Sequence, residues 1–149
     1  MIVLDASLIV DSLLPKLGER HRIAKELLRA VSERDLEVLM PKIARIEMLS
    51  VFSRKIGTRA IQIVSRIGEG VTFVGEEEFY QVAESLAPKV KGRAVDLYYI
   101  ALAFKNSAIL VSCDKLQVEN ARKAGVEAYY LPDEFEEAIK RITSLEKPS

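Results

Sequence analysis
The stretch AVDLYYIALAFKNSAILVSCDKLQVENARKAG, residues 94–125, decides the class of fold. Its opening belongs to a helix read over 92–105, where Asp96 is the one charge in AVDLYYIALAF. AILV (108–111) is a short apolar run of strand length. Residues 115–124 return to a helix, and Gly125 supplies a C-terminal stop. A fully apolar strand set between helices is the mark of a parallel sheet covered on both faces.

The alternation extends outward. MIVL (1–4), EVLM (37–40), VTFV (71–74) and EAYYL (127–131) are further short apolar runs. Residues 7–14, 19–32, 42–54, 58–67, 77–87 and 133–144 read as helices. Within 19–32 the apolar residues Ile23, Leu27, Leu28 and Val31 keep helical spacing. Pro41 suits the first turn of the helix that follows the second strand. The tail EKPS is expected to fray. The expected fold is a three-layer α/β/α domain with a mostly parallel, roughly five-stranded sheet, spanning 1–149 as one domain.

The chain has 149 residues, 49% hydrophobic and 30% charged, enough to bury a core without disulfides or a structural metal. One cysteine, Cys113, excludes an internal disulfide framework, and one histidine, His21, excludes a site needing two. No apolar run approaches the roughly 20 residues of a membrane span. The start, MIVLDASLIV, lacks the basic region of a signal peptide. A cytoplasmic protein without membrane association is expected. The net charge of zero argues against a general polyanion binder, but the charges are uneven. Residues 42–66 hold six bases and one acid, Glu47, and Lys89, Lys91 and Arg93 form a second patch.

Four acids stand where a core would not choose them. Asp5 directly follows the first strand, and Asp114 lies just past the fourth. In a parallel α/β sheet, ligands bind beyond the carboxyl ends of the strands, near the point where strand order reverses. If those strands are neighbours, two carboxylates meet there. Each alone is equally suited to capping a helix. Asp96 and Glu47 sit in apolar helix stretches, Glu47 with Arg45 as the only other charge in IARIEMLSVF; taken alone, Asp96 equally suits the exposed first turn of its helix and Glu47 a salt bridge to a nearby base. A buried carboxylate without a partner costs several kcal/mol, on the order of the values for unpaired ions. The four become economical together around a hard divalent cation such as Mg²⁺ or Mn²⁺, which takes oxygen ligands. Metal-assisted phosphodiester hydrolysis is the chemistry that suits such a site.

In these features the sequence resembles the PIN domain family, the small metal-dependent nuclease fold. Four segments carry the resemblance: the strand into Asp5-Ala6-Ser7, Glu47 in a helix after a proline, the helix Arg93–Ala103, and Ile109–Lys115 with its following helix and Gly125-Val126. The resemblance covers about residues 1–140. It implies that Asp5, Glu47, Asp96 and Asp114 form an acidic quartet around Mg²⁺ or Mn²⁺, directly or through water. Ser7 and Ser112 match its supporting hydroxyl positions, Ser112 in place of the more usual threonine. Small chains of this kind resemble VapC-type toxins, which implies a ribonuclease with an RNA substrate, an antitoxin protein partner and a homodimer.

Lys42, Arg45, Arg54 and Lys55 flank Glu47 and become candidates to track the RNA backbone, as do Lys91, Arg93 and Lys115. The alternative is a plain solvated surface. Asp11 is expected to face solvent, His21 to lie on the surface, and Cys113 to be a small, partly buried filler. Parts of 7–14 and 42–66 are candidates for a dimer surface. Competing readings are a PIN-type nuclease in RNA processing, a catalytically silent RNA- or protein-binding domain, and a receiver-like domain. The last suits the sequence poorly, because Asp96 and Glu47 lie on helices.

Overall fold
The computed structural model of the chain describes residues 1–145. The five strands are β1 (Ile2–Leu4), β2 (Val38–Pro41), β3 (Thr72–Val74), β4 (Ile109–Ser112) and β5 (Ala128–Tyr130). They form one sheet in the order β3-β2-β1-β4-β5, and every pair is parallel. Parallel strands bury both faces, so they carry continuous apolar runs. Ile2, Val3, Leu4 and Leu110 are accordingly sealed from solvent. Each such side chain contributes about 1.5–3 kcal/mol of burial.

The helices are α1 (Ala6–Ser12), α2 (Glu19–Glu33), α3 (Ile43–Ile56), α4 (Arg59–Gly68), α5 (Tyr80–Val90), α6 (Ala94–Asn106), α7 (Lys115–Lys123) and α8 (Leu131–Ser144). Helix α2 packs on α1 and α8, whereas α6 packs on α5 and α7 and lies against β1, β2 and β4. Parallel neighbours need crossover helices on the faces of the sheet, which gives the two helical layers. The chain moves outward from β1 through β2 to β3, then returns to the other side of β1 for β4 and β5. That reversal puts the switch point between β1 and β4. Leu4 is in register with Val111 there, and the Asp5 amide donates to the Val111 carbonyl at 3.1 Å.

Boundaries differ from the expected ones where tertiary pairing outweighs local preference. Pro41 does not open α3. It ends β2, paired with Val74, and its missing N–H costs nothing at a strand end. The first helix stops at Ser12, followed by a 3₁₀ turn over Pro15–Leu17. Leu131 belongs to α8 rather than β5. The tail EKPS lies outside the described residues. Among the described residues, no helix is long and apolar enough to cross a membrane.

Candidate active site
The carboxyl ends of β1 and β4 bring Asp5 and Asp114 to one edge of the sheet. Asp5 is the N-cap of α1, and its Oδ1 accepts from the Ser7 amide at 3.3 Å. Its Oδ2 accepts from the Ser112 hydroxyl at 2.6 Å. The same Ser112 oxygen accepts from the Asp114 amide at 2.9 Å, and the Ser7 hydroxyl accepts from the Cys113 amide at 3.1 Å. Two hydroxyls thus clamp the turn after β4 to the start of α1. Asp114 caps α7, its Oδ1 accepting from the amides of Leu116 and Gln117. Helix capping and a place at the sheet edge therefore coexist in both residues.

Glu47 and Asp96 come in from α3 and α6. Asp96 lies in the first turn of α6, only 8% exposed, and its Oδ2 accepts from Arg93 Nε at 3.0 Å. Glu47 is half-buried, and its Oε1 accepts from the Tyr99 hydroxyl at 2.7 Å. Tyr99 is 1% exposed, and its oxygen also accepts from the Ala6 amide at 3.3 Å. One buried phenol therefore joins Glu47 to the residue that follows Asp5. Tyr99 is hidden in the sequence because it sits in an apolar run. Its spacing of three from Asp96 places both on one helix face, which is the signal that finds it.

The acids are electrostatically coupled. Burial pushes the Asp5 carboxyl up to about 6, opposed by the bonds from Ser112 and Ser7 and reinforced by the charges of Glu47 and Asp114. Burial also raises Glu47, with the Asp96 charge adding to it and the Tyr99 bond opposing. Arg93 is raised by its bond to Asp96 and by that charge, and also by Asp114 and Glu47. Burial pushes Tyr99 far above its ordinary value, so the phenol remains a donor.

The other candidates fall in different places. Lys42, Arg54, Lys55, Lys91 and Lys115 are exposed, Lys115 beside Asp114 at the start of α7. Arg45 lies over the Phe73 ring, 5.1 Å from its centre, and Arg54 Nη1 donates to the Ser50 hydroxyl. Asp11 does not face solvent. It is buried, with its carboxylate 2.9 Å from Arg20 Nη2. His21 is half-buried rather than on the surface, its Nδ1 3.0 Å from the Asp11 carbonyl oxygen. The Arg20 pair explains both, because it folds the start of α2 back over α1. Cys113 is buried rather than partly so, and burial pushes its thiol up, which leaves it without nucleophilic character.

The family profile described as "PIN domain" matches residues 2–123. The chain belongs to the PIN domain family. The match spans the whole region that supplies Asp5, Glu47, Asp96 and Asp114. PIN domains are generally nucleases, which supports a hydrolase acting on nucleic acid, and they typically use divalent metals. No curated protein matches the chain significantly. The donor chemistry of this PIN domain fits such an ion: the gathered side chains offer only carboxylate and hydroxyl oxygens, the hard ligands that Mg²⁺ and Mn²⁺ accept. Among the described residues, no three His, Cys, Asp or Glu side chains draw together closely enough to enclose an ion alone.

Proposed function
We propose that this PIN domain is a divalent-metal-dependent endoribonuclease and the toxin of a toxin–antitoxin pair. The observation that carries the nuclease reading is the meeting of Asp5 and Asp114 at the sheet switch point through Ser112, with Glu47 and Asp96 adding charge to the same place. The ribonuclease and toxin assignments rest on the resemblance to VapC-type chains. An antitoxin protein partner and a homodimer belong to the same reading. Exposed Ile46 on α3 and Ile61 on α4 support a self-contacting face.

Asp5, Asp96 and Asp114 would hold Mg²⁺ or Mn²⁺, directly or through water. When bound, such an ion lowers the pKa of its water and neutralises charge on the scissile phosphate. Ser112 and Ser7 fix the carboxylate of Asp5. Tyr99 occupies Oε1 of Glu47, which leaves Oε2 to orient the attacking water and take its proton. The water oxygen forms a bond to phosphorus, one ester P–O bond breaks, and the leaving oxygen takes up a proton. The Arg93–Asp96 pair does not close the site, because Arg93 is mostly exposed and such a pair is worth about 0–1 kcal/mol.

The test is cleavage of a labelled mixed-sequence single-stranded RNA with Mn²⁺ or Mg²⁺, with EDTA as control, beside Asp96→Asn. Ion-dependent cleavage that vanishes in the variant is expected. Cleavage that survives in the variant rejects the quartet. Growth arrest on expression, relieved by a neighbouring small gene, separates a toxin from an RNA-processing enzyme.

Tyr99→Phe removes the donor that holds Glu47. It should lower the turnover rate roughly ten- to hundredfold with little change in RNA affinity, within the range for a lost acid–base contribution. In a Glu47→Gln background the same change should cost almost nothing, because residues acting as a unit are not additive. Equal losses in both backgrounds would show that Tyr99 acts only on folding.

A further inference from the structure
We infer that Gln117 is a positioning residue that fixes Asp96 relative to Asp114. The inference rests on the nuclease reading above and adds a member to the same site. The other acids already have buried ties. Asp5 and Asp114 share the Ser112 hydroxyl, and Tyr99 joins Glu47 to Ala6. The Asp96 carboxylate has only Arg93 among the described residues, and that side chain is 78% exposed. An exposed ion pair holds geometry weakly. Asp96 and Asp114 also belong to different helices, Asp96 in the first turn of α6 and Asp114 as the cap of α7.

Gln117 spans that gap. It lies in the first turn of α7, three residues after Asp114, and is 1% exposed. Its side-chain Nε2 donates to the Asp96 carbonyl at 3.3 Å. Its backbone N–H donates to Asp114 Oδ1 at 3.4 Å. One residue thus holds the main chain of one acid and the carboxylate of the other.

The second observation is what this arrangement leaves unmet. Gln117 Oε1 is sealed from solvent and has no hydrogen-bond partner among the described residues. A buried acceptor without a partner is destabilising. Turning the amide over would not relieve it, because Oε1 would then face the Asp96 carbonyl, acceptor against acceptor. Asp96 does not need the bond either. Its carbonyl lies inside α6, where the helix supplies an N–H from four residues on. An apolar side chain would continue the buried face of Val118 and Ala121 and leave no orphan. Packing therefore does not account for an amide at this position. The tie between α6 and α7 does, because it keeps the two carboxylates in a fixed relation.

The experiment uses the full chain with Mn²⁺ as the probe, beside Gln117→Met. Methionine keeps the unbranched length and removes both the donor and the orphan acceptor. Melting temperature is read without ion, Mn²⁺ affinity from the paramagnetic resonance signal of free Mn²⁺, and kcat and KM on labelled single-stranded RNA. The ion-free melting temperature should equal or exceed the parent's, since an unpaired acceptor is gone. The Mn²⁺ Kd should rise about tenfold, the lower end for groups that orient metal ligands. At low Mn²⁺ kcat should fall about tenfold with KM for RNA nearly unchanged, and saturating Mn²⁺ should restore most of it. A residue that only packs gives no loss that the ion reverses. Gln117→Leu repeats the chemistry in a branched shape and should show the same pattern.

A Mn²⁺ Kd within about twofold of the parent's in both variants overturns the positioning role, being well short of the expected effect. A loss confined to one variant, or one that accompanies a lowered melting temperature and persists at saturating ion, makes Gln117 a packing residue and also overturns it. If the unmodified chain binds Mn²⁺ and cleaves RNA, those outcomes remove Gln117 and leave the nuclease. An unmodified chain that neither binds Mn²⁺ nor cleaves RNA rejects both.

Discussion
Asp5→Asn should abolish cleavage and yet make the ion-free protein more stable at pH 8. The two effects have one origin. Asp5 is almost fully buried and surrounded by other acids, so its carboxyl is pushed up to about 6 from an ordinary 3.8. The sign follows from linkage. The folded chain holds this proton more tightly than the unfolded chain does. Stability from it is therefore complete below pH 3.8, declines as pH rises through the interval to about 6, and stays lower above. The shift of about two units corresponds to about 3 kcal/mol at pH 8. Asparagine removes that charge at nearly the same shape. It gives back part of the gain, because one of the acceptors for the Ser7 amide and the Ser112 hydroxyl is lost. A net rise of about 1–2 kcal/mol remains, or about 2–8 °C in melting temperature for a domain of this size. At pH 4 the gain should vanish. Thermal melts of both chains at pH 4, 6 and 8 in EDTA, beside the cleavage assay, measure it. A variant that melts lower than the parent at pH 8 would show that Asp5 is a structural cap whose charge costs nothing.

This opposition between stability and activity is what the sequence exposes most readily. Asp5 and Asp114 are legible because a carboxylate directly after an apolar strand is a local pattern. The parallel order of β1 and β4 then does the rest. Asp96 is legible because it is the one charge in AVDLYYIALAF, although a place in the first turn of α6 would by itself also suit an acid. Partner choice is not legible. The spacing of three from Asp96 separates Tyr99 from its neighbour Tyr98, but that Tyr99 meets Glu47 while Tyr98 packs edge-on against Phe79 depends on how α6 packs on other elements. Asp11 misleads for the same reason. It ends an apolar turn and looks solvated until Arg20, nine residues on, returns to meet it. Pro41 looks like a helix start because local propensity cannot see Val74 across the ladder.

Divalent ions should raise the melting temperature of the unmodified chain strongly at pH 8 and hardly at all at pH 5. The acids repel one another and are partly desolvated, so the folded chain carries a destabilising charge that a cation held there would relieve. An ion present at about 100 times its Kd stabilises by about 2.7 kcal/mol, which is about 5–11 °C here. Protons compete for the same oxygens. Below about pH 6 Asp5 takes up its proton, and the raised Glu47 carboxyl acts in the same direction. The ion must then displace protons to bind, so its stabilisation shrinks as pH falls. Mg²⁺ and Mn²⁺ should both act, since the donors are hard oxygens. Asp5→Asn should lose most of the shift at pH 8, because the charge that the ion relieves is gone. Tyr99→Phe should keep part of it, since Glu47 retains its charge without its fixed position. Thermal melts across pH 5–8, with and without each ion, decide the matter. A shift equal at pH 5 and pH 8, or equal in Asp5→Asn, would place the ion elsewhere on the surface and leave the quartet without its metal.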